Sequence, residues 1–315
     1  MAEQNPPTRL SVSVPDDRWL DLWPGEDEPV DVAVWDLTGP PPGGAPSAPQ
    51  FVVMPYMAGT TGFERLAALP DLRVVQTLTA GYENVLAYVP NGVTLCTAGG
   101  VHDASTAELA VGLTIAALRG IADFARAAQT GNWLFGPRRS LADRSVLIVG
   151  AGGVGGAIAR RLAPFEVSLT RVGTRARDDD TGHVHAADEL TRLLPRHDVV
   201  ILALPLTAAT RGLVDKAFLA AMPDGALLVN VARGGVVVTD DLLAELTSGR
   251  LSAALDVTEP EPLPPDHPLW RAPNVLISPH VGGNSSAFRP RARALLRDQL
   301  ARYADGRPLN HQIRR

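Results

Sequence analysis

Residues 144–163 read Arg144-Ser-Val-Leu-Ile-Val-Gly150-Ala-Gly152-Gly-Val-Gly155-Gly-Ala-Ile-Ala-Arg-Arg-Leu-Ala163. Val146 to Val149 are β-branched or aliphatic, as a buried parallel strand requires. Gly150 stops the run, and Gly150, Gly152 and Gly155 set the G-x-G-x-x-G spacing, with Gly153 and Val154 between them. Ala157, Ile158 and Leu162 then recur at helical intervals. The physical demands of a dinucleotide site are met in that order. Gly150 allows a tight turn, Gly152 lets a pyrophosphate approach the backbone, and Gly155 lets the helix pack on the strand. The helix start offers unpaired N–H groups and a positive dipole end to the phosphates. Glycine turns are common, and the strand before and helix after this one supply the confirming context; a turn that serves packing alone is the plainer alternative.

The chain has 315 residues, enough for two domains of ordinary size. Its 45% hydrophobic and 20% charged residues describe a soluble globular protein, and a formal charge of −5 gives no reason to invoke nucleic acid or an anionic membrane. Cys96 is the single cysteine, which excludes an internal disulfide and a cysteine-rich metal site; no metal is expected. No stretch reads as a secretion signal or a membrane span, so a cytoplasmic address is expected. Lys216 is the single lysine, so a mechanism that needs a catalytic lysine has one candidate.

Outward from the glycine turn, short apolar runs alternate with helical stretches, which predicts α/β folding on parallel sheets. Before it, strands are expected at Leu10–Val14, Val30–Trp35, Phe51–Met54, Leu72–Leu78 and Val93–Cys96, with residues 1–10 disordered and residues 39–49 a Pro/Gly loop. Thr79-Ala80-Gly81-Tyr82 follows a strand, where ligands bind in such sheets, so the Ala80 and Gly81 amides are candidates for a carboxylate, with a plain turn the alternative. A long apolar helix capped by Asp103 or Ser105 precedes the turn, and a loop over residues 131–139 carries Trp133, Arg138 and Arg139.

Beyond the turn, Val167–Val172 is a second strand ending at Gly173. An NAD site ordinarily places an acid there for the ribose 2′-hydroxyl, about 20 residues past the turn. Gly173 with Thr174, Arg175 and Arg177 suits a 2′-phosphate instead, so NADP is the preferred cofactor, with NAD possible should one of Asp178, Asp179 or Asp180 fold back. Further strands close on Leu204-Pro205, on Val231-Ala232-Arg233, on Asp256 with Glu261 following, and on His280-Val281-Gly282. Arg, Glu and His after consecutive strands look like an assembled site. Arg233 offers a permanent charge and a planar fork for a carboxylate. His280 can hold and release a proton near neutral pH, and a carboxylate on one ring nitrogen would fix its tautomer; Glu261 is a candidate for that, with Glu259 and Asp266 equally available. Together these parts describe reversible hydride transfer between a nicotinamide and a 2-keto acid.

The set Gly150-x-Gly152-x-Val154-Gly155, Asn230-Val-Ala-Arg233-Gly234-Gly235, Leu255-Asp256-Val257-x-x-x-Glu261-Pro262 and Ser278-Pro279-His280-x-Gly282-Gly283 resembles the D-isomer-specific 2-hydroxyacid dehydrogenase family over most of residues 74–310. The resemblance implies two Rossmann-like domains with doubly wound parallel sheets: a substrate domain of residues 1–100 plus 285–315, reached by a C-terminal helix that crosses back, and a dinucleotide domain of residues 101–284. It implies a catalytic trio at Arg233, Glu261 and His280. It puts cofactor contacts at the glycine turn, Thr106, Leu204, Pro205, Val231, Ala232, Asp256 and Gly282. A homodimer and a cleft that closes on substrate are implied as well. At Gly173 the chain is similar to the family's glyoxylate and hydroxypyruvate reductases. The formate branch has glutamine where Glu261 stands, and the phosphite branch has a lysine near the carboxylate loop, where this chain has none. Residues 1–70 match poorly, which leaves the 2-keto acid open, with Tyr56, Met57 and Tyr82 as candidate pocket residues. An NAD-linked dehydrogenase and a non-catalytic, dinucleotide-responsive binding protein are the rival readings.

Overall fold

The computed structural model describes residues 10–22, 30–41 and 49–313; the expected disorder at the N-terminus and most of the Pro/Gly loop lie outside them. The chain divides into two compact units, Met1–His102 with Ser286–Arg315, and Asp103–Ser285.

The first unit holds a five-stranded sheet in the order β2-β1-β3-β4-β5. Its strands are β1 (Leu10–Val14), β2 (Val30–Val34), β3 (Phe51–Val53), β4 (Val74–Gln76) and β5 (Thr94–Cys96), and all its pairings are parallel. The sequence predicts a longer strand over Leu72–Leu78, and the structure trims it to three residues. Thr77 and Leu78 are buried but turn toward neighbouring loops: the Thr77 Oγ1 donates to the Thr79 carbonyl, and the Leu78 carbonyl meets His102 Nε2. Phe63–Ala68, between β3 and β4, form a 3-10 helix. A terminal helix, Phe288–Ala304, completes this unit. Ala292, Leu296 and Leu300 from that helix join the core formed by Val12, Phe51 and Val74. Its buried Gln299 donates to Gln76 Oε1 at 2.8 Å and to the Asn310 carbonyl, so this core carries a satisfied polar link.

The second unit holds an eight-stranded sheet in the order β13-β12-β11-β10-β6-β7-β9-β8. Its strands are β6 (Ser145–Val149), β7 (Ser168–Gly173), β8 (Arg177–Asp179), β9 (Gly182–Ala186), β10 (Val199–Leu202), β11 (Leu227–Asn230), β12 (Ser252–Leu255) and β13 (Val275–Ile277). Its helices are α1 (Asp103–Arg119), α2 (Ile121–Ala128), α3 (Gly153–Leu162), α4 (Leu190–Leu193), α5 (Lys216–Ala221) and α6 (Thr239–Thr247). The strand order reverses between β6 and β10, so the glycine turn at the end of β6 sits at the switch point where open α/β sheets bind ligands. Two cores sandwich the sheet: Ala107, Ala110 and Leu113 of α1 meet Ile158 and Leu162 of α3 on one face, while Phe218, Leu242 and Leu246 cover the other. Gly120, in the left-handed region at φ +66°, separates α1 from α2. The sheet departs from the all-parallel expectation at one edge, where β8 pairs antiparallel with β9. No helix among the described residues is long and apolar enough to cross a membrane.

Candidate active site

The glycine turn is built as its residue types demand. Gly150 lies at φ +113°, and a Cβ on it would fall 2.1 Å from the Ala203 carbonyl oxygen and 2.9 Å from the Leu204 amide nitrogen. The turn is therefore pressed against the loop that ends β10, beside Leu204 and Pro205. A Cβ on Gly155 would sit 1.8 Å from the Gly150 carbonyl oxygen, so α3 can pack this closely only without a side chain there. Gly152 differs: nothing lies within 4 Å of its Cβ position. Open space over a backbone at the N-terminus of a ten-residue helix fits a pyrophosphate. The residues present thus fit a bound dinucleotide. Asp103 at the start of α1 comes beside Gly153, its Oδ2 2.0 Å from that residue's Cβ position. Val154 packs on the α1–α3 core.

At the far end of β7 two of the three acidic alternatives, Asp178 and Asp179, are engaged by neighbouring side chains. Asp179 takes two hydrogen bonds from the buried Arg171 guanidinium at 2.9 and 2.7 Å, and Asp178 pairs with His183 at 2.8 Å. Asp180 is exposed, as are Thr174 and Arg175 on the connection from β7 to β8. Arg177 reaches back: its Nη2 donates to the Ala151 carbonyl inside the glycine turn at 2.7 Å, and its Nη1 is 2.9 Å from the Cβ position of Gly173. A guanidinium thus stands where an acid would serve a ribose 2′-hydroxyl.

The strand ends of β11, β12 and β13 carry the chemistry. After β11, the buried Asn230 side chain closes the turn, accepting from the Ala232 amide at 3.0 Å and donating to the Arg233 carbonyl at 3.1 Å. Val231 and Ala232 are buried, and Arg233 is half-buried with Nη1 on the Ala232 carbonyl. A Cβ on Gly234 would fall 1.9 Å from the Thr258 carbonyl oxygen. The segment leading to Glu261 therefore lies directly on the Arg233 turn. Thr258 Oγ1 donates to the Pro260 carbonyl and Thr239 Oγ1 to the Glu259 carbonyl, which pins that segment from both sides.

His280 Nδ1 lies 2.5 Å from Glu261 Oε1. Of the acids open to His280 in the sequence, Glu261 makes the contact, while the Glu259 carboxylate lies 3.3 Å from the Cβ position of Gly235. A carboxylate accepts, so Nδ1 donates and Nε2 is the nitrogen left for proton exchange. Burial would raise the Glu261 carboxyl; the hydrogen bond and charge of His280, a Thr258 backbone hydrogen bond and the positive charge of Arg233 outweigh it and hold it below the ordinary glutamate range. Arg233 is thereby close enough for its charge to be felt at Glu261.

His280 sits in the left-handed region at φ +53°, a costly conformation for a residue with a side chain. Asp256, 3% exposed, secures it. Its backbone carbonyl accepts the His280 amide at 2.8 Å. Its Oδ1 accepts from Ser278 Oγ and the Val281 amide at 2.7 and 2.9 Å, and its Oδ2 accepts from the Gly282 amide at 2.9 Å. Asp256, expected at the cofactor, is thus also the anchor of the histidine loop. Buried Thr106 on α1 lies against the same place, 3.3 Å from the Cβ position of Gly282. The sequence showed no sign of this arrangement, because the residues that fill the Asp256 carboxylate lie more than twenty positions away.

In the first unit, the Ala80-Gly81 loop beyond β4 is stapled by threonines: Thr79 Oγ1 donates to the Gly81 carbonyl at 2.7 Å, and the Ala98 amide donates to the Thr79 carbonyl at 2.9 Å. Ala80 is exposed and Gly81 half-buried. Of the candidate pocket residues, Met57 is 52% exposed, while Tyr56 stacks on Phe288 with ring centroids 4.1 Å apart. Tyr82 packs against the core that contains Phe63. Among the described residues no cluster of His, Cys, Asp and Glu is arranged to hold a metal.

Known proteins share the chain's sequence and fold. Residues 111–282 match the profile of the D-isomer specific 2-hydroxyacid dehydrogenase NAD binding domain. The chain is 33% identical over 258 residues to the glyoxylate reductase/hydroxypyruvate reductase of Homo sapiens, covering 79% of each. It is 33% identical over 258 residues to the glyoxylate reductase of Thermofilum pendens, covering 77% of this chain and 75% of that one. A D-isomer specific 2-hydroxyacid dehydrogenase from Xanthobacter autotrophicus Py2, solved in complex with NADPH and MES, superposes with a TM-score of 0.82 at 27% identity over 98% of both chains.

Proposed function

The chain belongs to the D-isomer specific 2-hydroxyacid dehydrogenase family and is an NAD(P)-dependent oxidoreductase of that type, and on that premise we propose that it reduces a small 2-keto acid of the glyoxylate or hydroxypyruvate kind with NADPH. The observation that carries the proposal is the His280–Glu261 hydrogen bond beside Arg233, on strand ends next to a glycine turn. When bound, the reduced nicotinamide supplies a hydride to the carbonyl carbon. Arg233 grips the substrate carboxylate through its planar fork and draws charge from the adjacent carbonyl. Ala80 and Gly81, in the first unit, are proposed as carboxylate donors through their amides. His280, charged, gives the Nε2 proton to the carbonyl oxygen and keeps its Nδ1–H on Glu261. In the oxidative direction the neutral ring takes the proton back. Where the product has a stereocentre, as from hydroxypyruvate, it is the D-isomer.

NADPH is preferred because Arg177 offers guanidinium donors at Gly173, the place at which an NAD site ordinarily carries the acid for the 2′-hydroxyl. The cofactor contacts assigned are Gly150, Gly152, Gly153, Val154, Gly155, Thr174, Arg175, Arg177, Leu204, Pro205, Val231, Ala232, Asp256, Gly282 and Thr106. A homodimer is part of the same proposal. Trp133 and Phe135 are 87% and 90% exposed, and Ile121 is half-exposed, an apolar display that a second copy would cover. The buried free thiol of Cys96 fits a reducing compartment, and the enzyme is assigned to the cytoplasm.

The test is a panel of 2-keto acids assayed with NADPH and NADH. Turnover of glyoxylate or hydroxypyruvate with a higher kcat/KM for NADPH is the expected result. A preference for NADH overturns the cofactor assignment, and cofactor binding without turnover of any 2-keto acid overturns the reaction.

A further inference from the structure

We infer that the Arg171–Asp179 ion pair is a positioning element for cofactor choice: it locks the β8–β9 hairpin in the register that delivers Arg177 to the glycine turn. The inference rests on the reading of Arg177 as the ligand of a 2′-phosphate and adds to it the residues that hold that ligand in place.

Arg171 lies on β7 with its side chain 4% exposed. A buried arginine is unusual, because desolvating a guanidinium is costly unless its donors are met. Here they are met by the hairpin: Nη1 and Nη2 bond the two Asp179 carboxylate oxygens, and Nη2 also bonds the Gly182 carbonyl at 2.7 Å. Asp179 in turn accepts from the Thr181 amide and hydroxyl at 2.9 and 2.8 Å, which closes the turn from β8 to β9. The clamp thus fixes both ends of the hairpin turn to the strand that ends at Gly173.

Register carries the consequence. Asp179 pairs with Gly182, Asp178 with His183 and Arg177 with Val184. Side chains alternate along a strand, so Arg177 shares the face of Asp179, while Asp178 points the other way to His183. A slip of one residue would turn Arg177 away from Ala151 and bring a carboxylate toward Gly173. Fixing register is the best-attested use of a buried ion pair, whose net contribution to stability is often small. The pair also neutralises the carboxylate nearest to Arg177 on that face, as the depression of the Asp179 carboxyl by Arg171 reflects.

Isothermal titration with 2′,5′-ADP and with ADP isolates the 2′-phosphate and needs no turnover. The variants are Asp179→Asn, the double variant Arg171→Met with Asp179→Leu, and Arg177→Ala. Wild type is expected to bind 2′,5′-ADP roughly tenfold or more tightly than ADP, and Arg177→Ala to lose that preference. Asp179→Asn and the apolar double variant should lose most of it, with ADP affinity held within about twofold. The double variant keeps the test open if Asp179→Asn fails to fold with Arg171 left buried and under-paired. A wild type without preference overturns the reading of Arg177 and the clamp together. A wild-type preference lost in Arg177→Ala but kept in the folded clamp variants overturns the clamp alone, as does an equal loss for both nucleotides.

Discussion

Glu261 Oε1 and His280 Nδ1 are 2.5 Å apart, although the residues follow different strands, β12 and β13. Two independent devices bring them together. Gly234 lets the Thr258–Glu261 segment lie on the Arg233 turn, and Asp256 bends the His280 loop into a left-handed conformation. Each member of the site is therefore held by its own contacts, and the members answer differently to substitution.

The Glu261 carboxyl is held below its ordinary range, so the unfolded chain binds that proton more readily than the folded one. The stabilisation is full above the ordinary glutamate value, about 4.3, and is lost as pH falls through the depressed value. Melting of wild type and Glu261→Gln followed against pH should show a difference at about pH 5 that closes under more acid conditions. A gap that widens on acidification would contradict the assigned direction.

Arg233→Lys keeps the charge and loses the fork. One ammonium cannot make paired bonds to a carboxylate, and a lost charged hydrogen bond is worth about 1.5–3 kcal/mol. The expected result is a fall of roughly 10- to 100-fold in kcat/KM for the keto acid, with NADPH affinity little changed. Steady-state kinetics with varied keto acid and separate titration of cofactor read both.

Gly152 and Gly155 differ in what a methyl group would meet: open space at Gly152, and the Gly150 carbonyl at 1.8 Å for Gly155. Gly152→Ala should melt like wild type yet bind NADPH more weakly, because the methyl fills the approach to the backbone. Gly155→Ala should melt several degrees lower, because α3 must move off the strand. Thermal melts and cofactor titrations of both variants separate the two roles.

Trp133 and Phe135 are almost fully exposed in the single chain. Light scattering of wild type should give twice the chain mass, and Trp133→Ser with Phe135→Ser should shift it toward one. A monomeric wild type would remove the homodimer from the account.

Most of the parallel strands were legible as short, mainly apolar or alternating runs, and β1 appears at its expected bounds, Leu10–Val14. The β8–β9 hairpin was not: Arg177-Asp178-Asp179 has no apolar residue to mark a strand, and the partner of Asp179 is an arginine buried in a strand eight positions earlier. Arg233, Glu261 and His280 were legible as residue types at strand ends, but the partner of His280 was not, since Glu259 and Asp266 offered the same chemistry. The backbone contact at Gly234 favours Glu261, and such a contact leaves no local trace in sequence.

The most direct test of the central claim is single turnover of NADPH-loaded enzyme with hydroxypyruvate, wild type against His280→Ala. If His280 supplies the proton, the variant binds NADPH normally and consumes it about 10²- to 10⁴-fold more slowly. Equal rates in the two proteins would contradict the account.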